Sequence, residues 1–345
     1  MSITFSDDYL LGKPGPAYYF QHLIWGYAIT GTLLAAVRVD LFTALAAGPA
    51  SPAEVAARCR THSLSTEKLL VACAAMGLLE KEGDLYHNTP FVDRHLVWGR
   101  PAYQGELVEH LGRQWTRWGE IDRFVRTGER GPQELAEGEM MTYLEHQEDH
   151  RVWILAMHNI AMAGQAEALA DTLDLSGRRL LCDVGGGPGT YALVLCQRYP
   201  QLQAVVLDLP ETEPIAKEII ASFNLADRVG FRAADYLRDY GQGNDVVLLS
   251  GVLHGETPAD CRVMLRKAYD SLAPGGLAVV QEVLLNDEKT GPLLPALFSL
   301  HMTYGASYAG GEIAGWMAEV GFTDVEVRPL KGYAWLNGVV VGSKR

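Results

Sequence analysis

The second half of the chain alternates short apolar segments with helical segments, and this alternation limits the possible folds more than any other feature. Runs of branched apolar residues fit strands buried in a sheet, and the segments between them are long enough for crossover helices. The pattern predicts a parallel sheet with helices on both faces, followed by an antiparallel hairpin at one edge. The predicted strands are 180–184, 203–208, 229–233, 245–250 and 277–284, and the edge pair is 324–328 and 335–342.

The first of these strands ends in an acid and runs into a glycine-rich loop. Asp183 is followed by Val184, and four of the five positions 185–189 are glycine. Glycine is used where the backbone must turn sharply and let a ligand come close. A strand that ends in such a loop and restarts as a helix at 191–199 is typical of a nucleotide-cofactor site.

Two kinds of nucleotide fit this loop. From Gly187 the run Gly-Pro-Gly-Thr-Tyr-Ala matches the dinucleotide fingerprint, and Asp208 lies where that fingerprint places its ribose acid. A methyl donor built on adenosine needs an acid at the same position. Asp183 favours the second kind, because a carboxylate there can receive an amino group but would repel a pyrophosphate. Asp235 and Tyr236 supply an acid and a ring suited to adenine.

The first half is predicted to be helical and to contain a winged-helix pattern. A long apolar segment spans 16–47, and Ser51 is placed as the N-cap of a short helix. A second helix is predicted from 65 to 79, and 80–86 has the pattern of a small hairpin. Residues 101–175 continue as helices.

The charge balance argues against nucleic acid as a partner. The 345 residues carry a formal net charge of −13, and residues 1–110 hold eight Lys/Arg against eleven Asp/Glu. A winged helix with this balance fits packing or dimerisation better than DNA reading. The five cysteines include no C-x-x-C pair, which fits reduced thiols in the cytosol and gives no metal framework. We therefore expect a cytoplasmic protein that needs no metal.

One segment is apolar enough to be weighed as a membrane span. Residues 14–37 carry no formal charge, and this uncharged segment is long enough to cross a bilayer. The segment contains Gln21, His22 and Thr30, and no basic cluster flanks it. We expect a helix buried in a core or a subunit interface, and no membrane partner.

The motifs together resemble the class I S-adenosylmethionine-dependent methyltransferases. More narrowly, they are similar to the plant phenolic O-methyltransferases and their bacterial relatives in antibiotic, phenazine and pigment pathways. A winged-helix half precedes D-V-G-G-G-x-G, L-D-L-P, a third-strand acid, V-L-H, and P-G-G before the fifth strand.

The resemblance implies an α/β fold in which a mostly helical winged-helix dimerisation domain precedes a Rossmann-like seven-stranded methyltransferase domain. It implies a homodimer, with S-adenosylmethionine as the donor and S-adenosylhomocysteine as the product. The expected division is a dimerisation domain at 1–110, a helical connector lining the substrate pocket at 111–175, and the cofactor-binding domain at 176–345.

The resemblance also implies roles for single residues of the cofactor site. Gly185 and Gly187 would line the methionine part of the cofactor, and Asp208 would bind the ribose hydroxyls. Asp235 and Tyr236 would hold the adenine. The full set carried over by position is Asp183, Gly185, Gly187, Asp208, Leu209, Asp235, Tyr236 and Ser250, the last standing where plant members often have a lysine.

For the chemistry, the resemblance makes His254 the general base and Glu282 one of the two glutamates that bracket it in plant members. The sequence departs from the family at two points. The family usually continues H-D-W, whereas Gly255 and Glu256 follow here. The second glutamate aligns near 307–308, where no acid is present.

The predicted function is methyl transfer to a small molecule, with oxygen as the first candidate for the attacking atom. A thioether such as 4-methylthio-2-hydroxybutyrate, the acceptor in dimethylsulfoniopropionate synthesis, can attack without a strong base, and so can an activated carbon. S-methylation and C-methylation are therefore alternatives. A relative that binds the donor but has lost methyl transfer is an alternative of another class.

Acceptor contacts are expected from the helical half and from a late helix. Met157 and Met302 match positions where the family clamps a flat acceptor between thioethers. The polar candidates are Tyr143, His146, Arg151, His158 and His301. Trp115, Trp118 and Trp153 are expected in the core.

Overall fold

The computed structural model describes residues 15–129, 147–330 and 335–345, with side chains from Phe20 onward in the first range and from His150 onward in the second. The chain divides into two compact units, Met1–Trp115 and Thr116–Arg345.

The first unit is mostly helical, and a turn divides its long apolar segment. Asp40 adopts a left-handed conformation with φ 55°, which interrupts the helical path directly after Val39. The segment predicted at 16–47 therefore forms two helices. The helices of the unit are α1 (Gly15–Arg38), α2 (Leu41–Leu45), α3 (Pro52–Cys59), α4 (Ser63–Ala75), α5 (Pro90–His95) and α6 (Gly105–Gly112).

A capped helix, a second helix and a hairpin form the predicted winged-helix pattern. The Ser51 side chain accepts the Glu54 N–H while the Glu54 carboxylate accepts the Ser51 N–H, a reciprocal capping box at the start of α3. The hairpin pairs β1 (Leu79–Glu82) with β2 (Leu85–Asn88). Leu79 is a strand residue because α4 ends at Ala75, earlier than predicted.

Helix α1 is the apolar segment that the sequence marks as long enough to cross a membrane. The window Phe20–Arg38 meets that length and composition, and 11% of it is buried. Of the two expected positions, burial in the core of this unit is therefore excluded for most of the helix, and burial in a subunit interface stays a prediction. The large apolar side chains that α1 leaves exposed are Phe20, Leu23, Ile24, Trp25 and Tyr27.

The second unit begins with helices and an irregular turn. Gly164 has φ 115° inside a π-helical segment, Ala161–Gln165, and this bends the chain between two α-helices. The helices of this part are α7 (Trp115–Gly119), which starts at the unit boundary, α8 (Ile121–Thr127), α9 (Gln147–Ile160) and α10 (Ala166–Thr172).

A seven-stranded sheet follows, in the order β5-β4-β3-β6-β7-β9-β8. The five strands β3 to β7 run parallel, and β9 is antiparallel to both β7 and β8. The strands are β3 (Leu180–Val184), β4 (Gln203–Asp208), β5 (Val229–Ala233), β6 (Asn244–Ser250), β7 (Leu272–Glu282), β8 (Thr323–Pro329) and β9 (Gly338–Ser343).

Helices cover both faces of the sheet, so alternate strand residues enter two separate apolar cores. Leu181 and Val206 belong to one core, whereas Cys182 and Leu207 belong to the other. The helices after β3 are α11 (Thr190–Arg198), α12 (Glu213–Ser222), α13 (Pro258–Ser271), α14 (Leu293–His301) and α15 (Gly310–Val320), and buried residues of all but α14 belong to the two cores. The predicted fold class is confirmed.

The strand boundaries differ from the prediction at one place that matters for the sheet. β7 begins at Leu272, five residues before the predicted start, because Leu272 already pairs with Asn244. The register then shifts, and pairing resumes between Val246 and Leu277. The parallel strands all end at the same edge of the sheet, which is where ligands bind in open α/β folds.

Candidate active site

The glycine loop joins β3 to α11 at the carboxyl edge of the sheet. Gly185, Gly187 and Gly189 have φ of 64°, 52° and 75°, a left-handed backbone conformation that residues other than glycine rarely adopt. The N–H groups of Gly185 and Gly186 donate to Leu207 O at 2.8 and 3.2 Å. The loop is therefore fixed to the neighbouring strand β4.

Asp183 lies beneath this loop and is fully buried. Neither of its carboxylate oxygens has a hydrogen-bond partner. Burial raises the pKa of Asp183 to about 7, although the nearby Ala192 N–H opposes this rise. A Cβ on Gly186 would lie 2.7 Å from the Asp183 carboxyl group, so glycine is required there for the loop to close over the acid. An orphaned buried carboxylate fits a ligand that brings positive charge.

Asp208 is the last residue of β4 and is held by three donors. Its Oδ2 accepts the Gly187 N–H at 2.7 Å. Its Oδ1 accepts the Leu209 N–H at 2.7 Å and the Thr212 hydroxyl at 3.0 Å. Burial raises the pKa of Asp208, and these donors act in the opposite direction. The acid is thus oriented at the strand end beside the glycine loop.

The loop after β5 carries the predicted adenine residues. Asp235 is exposed, accepts the Leu237 N–H at 2.8 Å and pairs with Arg238 at 3.1 Å. Tyr236 is half-buried, and its hydroxyl donates to Glu256 Oε1 at 2.6 Å. Sequence reasoning noticed Glu256 only as a departure from H-D-W, yet its contact joins this loop to the loop that carries His254.

Ser250 ends β6, and its hydroxyl lies 2.9 Å from Gln281 Oε1 on β7. Tyr191, at the start of α11, donates to Gln165 Oε1 at 3.1 Å, and Gln165 donates to Trp335 O at 2.7 Å. The sequence analysis missed Gln165 and Gln281, and the burial of both amides is the signal that marks them.

His254 and Glu282 form the most direct polar contact of the site. The Nδ1 atom of His254 lies 2.9 Å from Glu282 Oε2, and the His254 backbone N–H donates to Glu282 Oε1 at 3.3 Å. Glu282, the last residue of β7, is buried, and the His254 side chain is 18% exposed. Since an ionised carboxylate only accepts, Nδ1 carries a proton and Nε2 is left as the acceptor of a neutral ring.

Aromatic rings surround this histidine. Phe298 meets the His254 ring edge-to-face with 4.9 Å between centroids, and Trp335 meets Phe298 at 4.4 Å. His301 is stacked on Phe298 at 6.3 Å and on Trp118 at 5.8 Å. Phe298 thus lies between the rings of His254 and His301. Trp118 is 39% exposed, so it is not in the core as predicted.

Other predicted acceptor contacts lie elsewhere. His158 Nδ1 lies 2.8 Å from Thr190 Oγ1 beside the glycine loop, so its contacts do not support an acceptor role. Arg151 is exposed and pairs with Glu218. Met157 and Met302 are half-buried. Tyr143 and His146 lie outside the described residues.

Two tryptophans complete the placement of the predicted aromatic residues. Trp115 is 46% exposed and contacts Tyr27 edge-to-face, so it is not in the core. Trp153 packs partly buried against the core of the second unit, as predicted.

The donor set at this edge has the chemistry of a cationic, ribose-bearing ligand rather than of a metal. Three carboxylates, those of Asp183, Asp208 and Asp235, belong to the ends of β3, β4 and β5 or the loops after them. Within residues 15–129, 147–330 and 335–345, no group of three or more His, Cys, Asp or Glu side chains is placed to hold a metal ion. The residues fit S-adenosylmethionine, whose amino group and sulfonium are positive and whose ribose and adenine need acceptors.

Residues 121–323 match the family model for the O-methyltransferase domain, and residues 21–97 match the O-methyltransferase dimerisation domain. The first match alone covers more than half of the chain. The chain belongs to the O-methyltransferase family. Its donor is therefore S-adenosylmethionine, and the protein is a methyltransferase of class EC 2.1.1 that acts on small molecules. The family, the enzyme class and the cofactor predicted from the sequence are confirmed.

Individual relatives of this O-methyltransferase cover between 78% and 96% of its length. The 3-hydroxy-5-methyl-1-naphthoate 3-O-methyltransferase of Streptomyces sahachiroi is 35% identical over 323 residues, 91% of this chain and 92% of the relative. The N,N-dimethyltransferase OxyT of Streptomyces rimosus is 33% identical over 272 residues, 78% of each chain. The crystal structure of human N-acetylserotonin methyltransferase in complex with S-adenosylmethionine superimposes with a TM-score of 0.86 at 27% identity, covering 96% of this chain and 99% of that one.

Proposed function

We propose that this O-methyltransferase methylates a hydroxyl group on an aromatic small molecule and that His254 is the general base. The observation that carries the proposal is the 2.9 Å contact between His254 Nδ1 and Glu282 Oε2. This contact fixes the tautomer in which Nε2 can take a proton.

A single acid is sufficient to orient this histidine. Glu282 binds His254 through both carboxylate oxygens, one at the ring and one at the backbone N–H. The edge-to-face contact with Phe298 restrains the ring from another side. The second glutamate of plant members aligns near 307–308, and Tyr308 there donates its hydroxyl to Glu256 O at 2.6 Å. These contacts hold the loop that carries the base.

The protein's own part in the reaction is to remove one proton from the acceptor hydroxyl. S-Adenosylmethionine supplies a methyl group already activated on a sulfonium. His254 Nε2 takes the proton of the acceptor hydroxyl as the oxygen–methyl bond forms and the sulfur–methyl bond breaks. Glu282 stabilises the resulting imidazolium, which returns the proton to solvent after the products leave.

The aromatic surround of His254 supports a flat acceptor. Phe298, Trp335 and His301 present ring faces and edges near the base, and such rings pack well against planar ligands. The relatives named for a hydroxynaphthoate and for N-acetylserotonin act on acceptors of this shape. We assign the acceptor to the class of hydroxylated arenes.

For the donor, the proposal keeps the roles that the sequence assigned. Asp208 binds the ribose hydroxyls with Leu209 beside it, Asp235 and Tyr236 hold the adenine, and Asp183 faces the positive charge. The glycines Gly185 and Gly187 line the methionine part, and Ser250 lies at the end of the central strand.

The helical unit is assigned to homodimer formation. Its match to a dimerisation domain begins at residue 21 and so includes most of α1, whose apolar side chains are largely exposed. Covering these side chains with a second copy would remove a large apolar area from water. The division at residues 110 and 175 and the cytoplasmic location remain predictions.

The function is tested by measuring S-adenosylhomocysteine formation with hydroxynaphthoates, hydroxyindoles, arylamines and thioether acids, with methylated products identified by mass spectrometry. We expect turnover with hydroxylated arenes and a loss of about 10²-fold or more for His254→Ala. Turnover with a thioether acid alone would replace oxygen by sulfur as the acceptor. Donor binding without turnover of any acceptor class would indicate a relative that has lost methyl transfer.

A further inference from the structure

One face of helix α9 contacts three segments of the donor site. His150, Ile154 and His158 are spaced four residues apart and so lie along the same side of the helix. His150 Nε2 lies 3.2 Å from Thr212 Oγ1, which follows β4. The Ile154 Cδ1 atom lies 3.9 Å from the position that a Cβ on Gly187 would take.

The third contact of this face reaches the helix that starts at the glycine loop. His158 Nδ1 lies 2.8 Å from the hydroxyl of Thr190, the first residue of α11. Both histidines therefore contact the hydroxyl of a threonine that lies three residues after a predicted cofactor-binding residue, Gly187 or Leu209. The sequence analysis did not single out His150 or either threonine.

The direction of the hydrogen bonds at His150 follows from proton counting. The Thr212 hydroxyl has one proton, which it donates to Asp208 Oδ1 at 3.0 Å. Its oxygen must then accept from His150, so Nε2 of His150 carries the proton. The chain of contacts runs from His150 through Thr212 to the Asp208 carboxylate.

We propose that His150 is a positioning residue for Asp208, acting through the Thr212 hydroxyl to fix the carboxylate that receives the cofactor ribose. The proposal rests on the proposed role of Asp208 in ribose binding. It extends that role to a residue on a different element, 58 positions earlier in the chain.

Burial makes this contact effective. His150 is 4% exposed and Thr212 is fully buried, so water cannot replace a lost partner. A buried group whose partner is removed loses its hydrogen bond without compensation. The other two donors to Asp208 are backbone N–H groups of Gly187 and Leu209, which hold the acid from the loop side. Thr212 adds a side-chain donor to Oδ1, the oxygen that also accepts the Leu209 N–H.

The test compares two ligands in calorimetry: S-adenosylhomocysteine and its 2′,3′-dideoxyribose counterpart, which lacks the hydroxyls that Asp208 would bind. Unmodified protein should bind the dideoxy ligand more weakly. His150→Phe and Thr212→Val should each weaken S-adenosylhomocysteine binding about tenfold and leave the dideoxy ligand nearly unchanged. The double variant should lose no more than either single variant.

Two further variants sharpen the comparison. His150→Gln retains an amide donor near the Nε2 position and should restore most of the affinity. Arg151→Ala lies on the same helix but faces solvent and Glu218, so it should bind both ligands as the unmodified protein does.

The outcomes separate the inference from the proposed function. If unmodified protein binds both ligands equally, the ribose role of Asp208 is wrong, and with it this proposal. If it discriminates but His150→Phe weakens both ligands equally, the histidine only packs, and the positioning role is overturned. Should His150→Phe fail to fold, His150→Asn, whose shorter side chain cannot span the 3.2 Å contact to Thr212 Oγ1, replaces it in the comparison, and equal weakening of both ligands or of neither would overturn the positioning role.

Discussion

The hydroxyl of Tyr236 donates to Glu256 Oε1 at 2.6 Å, and Glu256 is two residues beyond His254. The loop expected to hold the adenine and the loop that carries the proposed base are therefore joined by one side-chain hydrogen bond. Burial, followed by the neighbouring Glu256 carboxylate, raises the pKa of Tyr236, so the phenol remains a donor at neutral pH.

Breaking this hydrogen bond should affect both substrates. Tyr236→Phe keeps the ring for adenine but removes the hydroxyl, so we expect weaker donor binding and a kcat reduced about tenfold. Glu256→Gln keeps an acceptor oxygen and should lose less. Steady-state kinetics with calorimetry of donor binding check this. Unchanged kcat in Tyr236→Phe would show that the two loops act independently.

The orientation of the base depends on Glu282. Glu282→Gln can still accept from one donor but cannot balance an imidazolium charge, so kcat should fall by about 10- to 100-fold. Affinity for S-adenosylhomocysteine should be nearly unchanged, because the proposed donor residues lie on other strands. Single-turnover rates and calorimetry separate the two quantities. A loss of donor affinity as large as the loss in rate would assign Glu282 to cofactor binding.

Buried Asp183 should make the cofactor-free protein less stable at high pH. Its pKa is raised by burial to about 7, so the folded state binds a proton that the unfolded state releases above its ordinary pKa near 4. The stability of the native protein therefore falls as pH rises from about 4 to about 7.

The variant Asp183→Asn should remove this dependence. Measured without ligand, its advantage in the free energy of unfolding over the native protein should grow from pH 5 to pH 8, by an amount on the order of 2–3 kcal/mol. The same variant should bind S-adenosylmethionine weakly. Parallel urea titrations at the two pH values check the stability. A constant difference between the proteins would mean that Asp183 does not titrate in this range.

The partly buried ring of His158 should produce the opposite dependence. Burial lowers the pKa of His158 to about 4, so the folded state keeps the ring neutral while the unfolded state protonates it below about 6.5. The associated stability is fully present above that pH and is lost as the pH falls. Relative to His158→Gln, the native protein should lose about 2 kcal/mol between pH 7 and pH 5. The free energy of unfolding of the native protein and of His158→Gln is measured between pH 5 and pH 7. A constant difference between them would show that burial does not lower the pKa of His158.

Closure of the glycine loop over Asp183 should not tolerate a methyl group at Gly186. A Cβ there would lie 2.7 Å from the acid and 2.9 Å from Val206, so Gly186→Ala must displace the loop. We expect donor affinity to fall at least tenfold and stability to fall by about 1–3 kcal/mol. Gly230→Ala is the control, because no atom lies within 4 Å of that Cβ. Similar behaviour of the two variants would contradict the predicted steric conflict.

The parts of this site that follow strand ends could be predicted from the sequence. Asp208 and Glu282 are the last residues of their strands and Asp183 is the next to last of its own, and parallel strands bring their carboxyl ends to one edge. The side of a helix that faces a loop depends on tertiary packing, so His158 was assigned to the acceptor although it contacts the donor loop. The bend at Asp40 was missed because aspartate enters the left-handed region only in particular contexts.

The Tyr236–Glu256 contact was also beyond prediction, because it joins two loops 20 residues apart whose approach depends on the whole sheet. The sequence shows that Gly255 and Glu256 depart from H-D-W. It does not show which residue Glu256 contacts, because that depends on how the two loops approach each other. Glu256, a carboxylate displaced by one position from the family pattern, accepts a hydrogen bond from the Tyr236 hydroxyl.

The histidine face of α9 has a consequence for engineering new acceptor specificity. A designer who exchanges the helical segment before β3 with that of a relative also exchanges His150 and His158, while Thr190 and Thr212 remain in the recipient. On the proposed role of His150, such a chimera should lose both contacts and should bind the cofactor more weakly before any acceptor is tried. Transplanted segments for this scaffold therefore need histidine at these two positions, or matching changes at the two threonines.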